Sequence, residues 1–66
     1  MDLPSFITKL GVNEAAEFFG ETTRTIRAWK HRERYPKPRK ALEIEERTKG
    51  HPIGRVRVSE IYAERT

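Results

Sequence analysis

Sixty-six residues support one domain around one small core, because a chain of this length buries only about 60% of the surface its unfolded form exposes. No cysteine is present, which removes disulfides and thiolate metal sites as supports; His31 and His51 have no helical-spacing partner, so neither a metal nor a cofactor is expected. Fourteen Lys and Arg against ten Asp and Glu give a net charge of +4 and a pI near 9.9, a balance suited to a polyanionic partner.

The charge is localised. Arg24, Arg27, Lys30, Arg32, Arg34, Lys37, Arg39 and Lys40 face a single acid, Glu33, so residues 24–40 carry +7 and the rest of the chain −3. Asp2 stands where a leader peptide would be basic, and no apolar run reaches the length of a membrane span. A cytoplasmic location with no membrane partner is expected.

In chain order, Leu3, Phe6, Ile7 and Leu10 recur at i, i+3, i+4, i+7, one face of a first amphipathic helix that tolerates Pro4 in its opening turn and stops at Gly11. A second helix runs from Asn13 as N-cap to Phe19, with Val12, Ala15, Ala16 and Phe19 on one side and Gly20 ending it. Thr22 or Thr23 caps a third helix reaching His31. Its only large apolar residues, Ile26 and Trp29, are three apart and must face the core, leaving Thr23, Arg24, Arg27, Ala28 and His31 on the opposite side. Tyr35-Pro36-Lys37-Pro38 is a connector, because proline removes a donor and extends its predecessor. A fourth helix starts near Pro38 or Arg39, buries Ala41, Leu42 and Ile44, and ends at Gly50 with Lys49 near its negative end. Arg55-Val56-Arg57-Val58 alternates like a short strand, and Ser59 caps a last turn through Ile61, Tyr62 and Ala63. The expected class is therefore all-α: four to five short helices around a helix-turn-helix, with a short extended or β segment near residues 52–58, in one domain spanning 1–66.

Two short helices around a glycine turn, with small alanines on the first and a polar outer face on the second, meet the geometric demands of a helix-turn-helix. The stretch resembles the helix-turn-helix of phage Cro and C1-type repressors and their prophage relatives, on Ala16, Gly20, Ile26 and Trp29. Pro38, Ala41-Leu42, Ile44-Glu45, Thr48 and Gly50 are similar to the short helix and ending of small Cro-like regulators, so the likeness covers residues 12–50. Glu21 departs from it, since the family usually has an aliphatic residue after the glycine. A second resemblance, to small winged-helix excisionases, rests on Thr25-Ile26-Arg27-Ala28-Trp29, Tyr35-Pro36-Lys37-Pro38, Gly54-Arg55-Val56-Arg57-Val58 and Glu60-Ile61, and a hairpin at residues 51–58 would favour it.

The first resemblance implies a transcriptional repressor that binds a double-stranded DNA operator as a homodimer, without a small-molecule ligand. Thr23, Arg24, Arg27 and Ala28 are the candidates for reading bases. Thr22, Lys30, His31, Arg32, Arg34, Lys37, Arg39 and Lys40 are the candidates for phosphate contacts. The alternatives are an excisionase-like architectural factor and a protein-binding antirepressor. No nucleophile arrangement or phosphate loop suggests an enzyme. Phe18 lies off the apolar stripe, either exposed or in a dimer contact; Glu43, Glu45 and Glu46 read as a solvated face; Ile61 and Tyr62 either close the core or meet a second copy.

Overall fold

The computed structural model describes residues 1–62. Five helices form: α1 (Leu3–Leu10), α2 (Val12–Phe19), α3 (Thr23–Lys30), α4 (Pro38–Thr48) and α5 (Val58–Ile61), with no strand among the described residues. The all-α expectation holds. Ala63, placed by the sequence reading in the last turn, lies outside the described residues.

Local chemistry sets the helix boundaries. The Asp2 carboxylate accepts from the Ser5 N–H at 2.8 Å and starts α1, and this hydrogen bond, ahead of all other influences, holds the Asp2 pKa below its ordinary value. Gly11, at φ 99° and ψ 145°, both ends α1 and caps α2. Asn13 is consequently inside α2 and is not its N-cap; the sharp glycine corner leaves no residue of linker for Asn13 to cap from. Thr22 caps α3 with its hydroxyl accepting from the Thr25 N–H at 3.2 Å. Pro38 opens α4, where a missing N–H costs nothing.

Leu3, Phe6 and Ile7 of α1, Ala15, Ala16 and Phe19 of α2, and Ile26 and Trp29 of α3 form one buried cluster with Ala41, Ile44, Val56 and Ile61. α1, α2 and α3 pack mutually, while α5 packs on α4. Phe6, Phe18, Phe19 and His51 interlock at ring centroid distances of 5.0–6.0 Å. Phe18 is thus not an exposed aromatic: it packs, partly buried, on the margin of the core against Phe6, Phe19 and His51. Ile61 is buried and the Tyr62 hydroxyl donates to the Pro36 carbonyl, so both close this core from within.

Three expectations for the C-terminal half are corrected. Leu42 is 59% exposed, because the buried stripe of α4 is Ala41, Ile44 and Thr48. Residues 54–57 carry no regular secondary structure, Val56 is buried, and they pair with no strand. Side chains do the work of a neighbouring strand here. The Thr48 hydroxyl accepts from the Val56 N–H at 2.9 Å and has the Ile44, Glu45 and Val56 carbonyls within 2.9, 3.2 and 3.3 Å, and Glu45 accepts from the Val58 N–H at 2.9 Å. Last, Ser59 lies within α5 and Arg57 is the N-cap, its N–H donating to Glu60 at 3.3 Å.

Thr48 is the only buried polar side chain among the described residues. Thr48→Val keeps the shape but orphans the Val56 N–H, at a cost of about 1–3 kcal/mol. Urea denaturation followed by circular dichroism should show that loss, with Thr48→Ser retaining most of the stability.

Candidate nucleic-acid interface

The turn between α2 and α3 is three residues long, Gly20-Glu21-Thr22. Gly20 sits in the left-handed region at φ 66°, ψ 37°; its N–H reaches Glu17 O and the Glu21 N–H reaches Ala16 O at 2.9 Å. This double closure satisfies carbonyls that the end of α2 would otherwise leave without a donor.

Two cations from α4 finish that task. The Lys40 ammonium donates to the Phe19 carbonyl and Arg47 Nη1 donates to the Phe18 carbonyl at 3.1 Å. Glu43 bridges them, accepting from Lys40 at 2.8 Å and from Arg47 Nε at 3.1 Å, and Glu21 lies 3.0 Å from the same ammonium. The Lys40 hydrogen bond is the main reason the Glu43 carboxyl stays below its ordinary pKa. For Lys40, burial pulls the pKa down, but the hydrogen bonds to Glu43 and Glu21 outweigh it and raise it. The carboxylate at position 21, where an aliphatic residue was expected, therefore has a definite partner.

These contacts correct three expectations. Lys40, grouped by sequence with the phosphate contacts, turns inward and is used up as a strut. Thr22, grouped likewise, has its hydroxyl occupied by capping and by Thr25 Oγ1 at 3.1 Å. Glu43 and Glu45 are structural acceptors instead of a solvated face, which leaves Glu46 alone in that description.

The remaining predicted residues divide around α3. Ile26 and Trp29 are buried, while Arg24 and Arg27 are exposed and Thr23 and Ala28 half-buried. Arg24, Arg27 and Ala28 line one shallow depression with Thr25, Glu33 and Arg34. On the other flank, Lys30, His31 and Arg32 share a groove with Pro4, Ser5, Thr8 and Lys9 of α1. Thr23 borders a third hollow beside Glu14, Glu17 and Glu21. Lys37 belongs to the connector surface with Tyr35 and Pro36, and Arg39 is exposed on the first turn of α4.

Among the described residues, Arg24, Arg27, Lys30, Arg34, Lys37 and Arg39 enter no ion pair, whereas Lys40, Arg47 and Arg55 all do. The cations packed against the carboxylates of α4 are paired, and the first six are not. Two neighbours of this surface were missed from sequence. Lys9 lies outside the basic run, and only the polar side of the α1 pattern, Ser5, Thr8 and Lys9, hinted at it. Glu33 is the lone acid of the basic run, and nothing in its sequence position marks it as part of this surface.

The described residues contain no group of His, Asp or Glu able to hold a metal ion, and none of the described helices is long and apolar enough to cross a membrane. Comparison of the chain with family models, with curated proteins and with solved structures finds no match.

The contrast between inner and outer cations is testable by stability. Lys40→Met should cost about 1 kcal/mol, a value discounted because the site remains partly open to water. Lys37→Met, at an exposed and unpaired position, should stay within about 0.5 kcal/mol of the parent. Parallel urea titrations decide.

Proposed function

We propose that this protein binds double-stranded DNA sequence-specifically, laying α3 in the major groove, and that it acts as a Cro-like transcriptional repressor on its operator as a homodimer. The observation that carries this reading is the outer face of α3: Arg24 and Arg27, exposed and unpaired on the second helix of a helix-turn-helix, beside the small Ala28. An arginine fork donates two hydrogen bonds to guanine O6 and N7, and each such contact discriminates by about 1–3 kcal/mol. Thr23 and Ala28 offer methyl groups to thymine. Lys30, His31, Arg32, Arg34, Lys37 and Arg39 supply phosphate contacts, which fix affinity and register without reading sequence.

The homodimer follows from the way half-sites one helical turn apart reward a two-fold symmetric reader. The likeness to Cro and C1-type repressors supports the regulatory role. A hairpin at residues 51–58 would favour the winged-helix alternative; among the described residues that segment holds a turn at 52–53, no strand, and the first residue of α5.

In vitro selection from a randomised duplex pool, followed by fluorescence-anisotropy titration across a salt series, tests the proposal. The wild type should enrich a motif and prefer it to a scrambled duplex. The Arg24→Ala, Arg27→Ala variant should keep only weak, salt-sensitive, unselective binding. Lys37→Ala should weaken selected and scrambled duplexes alike and flatten the salt dependence by roughly one phosphate contact. If no duplex is bound above background at low salt, the ridge is not a DNA reader, and an acidic protein partner becomes the explanation.

A further inference from the structure

The chain reverses abruptly after α3. Arg32 stands at φ 59°, the only described non-glycine residue at positive φ, in a region that costs an L-residue roughly 1–2 kcal/mol. The reversal has a clear product: the Glu33 and Arg34 N–H groups both point to the Ala28 carbonyl, at 2.9 and 3.3 Å. Residues 33 and 34 are thereby pinned alongside the outer face of α3, in the depression that Arg24 and Arg27 line.

Glu33 is exposed there and forms no ion pair with any described cation. Glu21, Glu43 and Glu45 each have a cationic partner. A surface that served only to collect phosphates would gain from losing this carboxylate, since the charge opposes every duplex equally. A carboxylate held by backbone bonds beside two guanine-reading arginines has a different use: it accepts a hydrogen bond from an exocyclic base amine and repels a base that presents carbonyl oxygen.

We propose that Glu33 determines specificity, accepting from the N4 amine of cytosine, or the chemically equivalent N6 amine of adenine, next to the bases met by Arg24 and Arg27. The inference rests on the DNA-binding reading above. In discrimination, Glu33 trades affinity for any duplex against preference for one.

The test compares wild type, Glu33→Gln and Glu33→Ala on the duplex selected by the wild type, on each of its single base-pair substitutions, and on a scrambled duplex. Circular dichroism melts serve as the folding control, and because Glu33 is exposed they should coincide. Both variants should bind the scrambled duplex several-fold more tightly than wild type. Glu33→Ala should lower the ratio of selected to scrambled affinity by roughly 5- to 100-fold, the range of one base contact. That loss should map to one base pair, and its cytosine or adenine identity names the amine. If both variants gain equally on all duplexes, Glu33 is only a repulsive surface charge and the inference fails while the DNA-binding reading stands. If the wild type enriches no motif, both fail together.

Discussion

The last turn of α2, the bend at Gly20-Glu21 and the first half of α4 meet at one ammonium group. A helix ends with carbonyls that have no donor of their own and with the negative pole of its dipole. Lys40 and Arg47, seven residues apart on α4, supply donors and positive charge to the Phe19 and Phe18 carbonyls, while Glu43 between them keeps the pair from repelling. Only three residues separate Phe19 from the start of α3. Whatever α3 presents to a partner is therefore aimed by a clamp that lies outside the helix-turn-helix itself.

This arrangement sorts the cations by role. Those of α4 that face α2, Lys40 and Arg47, are paired with Glu43, while Arg24, Arg27, Lys30, Arg34 and Lys37 of α3 and the connector enter no ion pair among the described residues. The same chain thus holds a basic run whose members are not equivalent. A uniform count of charge along residues 24–40 overstates the free field, because Lys40 belongs to the fold, and it understates the shape of that field, because Lys9 joins it from α1.

Helix existence was legible because each periodic stripe had a physical stop: Gly11, Gly20, the two prolines at 36 and 38, and Gly50. The core anchors of α3 were equally legible, since Ile26 and Trp29 admit only one burial face. What failed to show were contacts between distant positions. The sequence offers no sign that a threonine hydroxyl at 48 replaces a strand partner for Val56, and so alternation at 55–58 read as β structure. Hydropathy ranks Leu42 as core and Thr48 as surface; packing reversed them because position 48, not 42, shares a face with Ala41 and Ile44. Lys40 looked like its neighbours for the same reason, since its carbonyl partner is 21 residues away. Arg32 gave no warning of its left-handed backbone, which glycine or asparagine would have signalled.

The small size of the chain restricts where selectivity can arise. With one core and shallow surface depressions, the proposed DNA recognition depends on the side chains that line them. The backbone beneath them is well fixed: Thr22 caps its start, the Ala28 carbonyl is bonded twice, and Arg32 is held against its own preference. Arg24 and Arg27 are long and enter no ion pair, so in the proposed complex each is ordered on binding, at about 0.5–1.5 kcal/mol per side chain. A rigid base carrying mobile cations favours rapid, weakly selective attraction, and selectivity then requires a group that penalises wrong matches. On this surface, the short carboxylate side chain at position 33, pinned by its own backbone to Ala28, is the group with the geometry and the charge to impose that penalty.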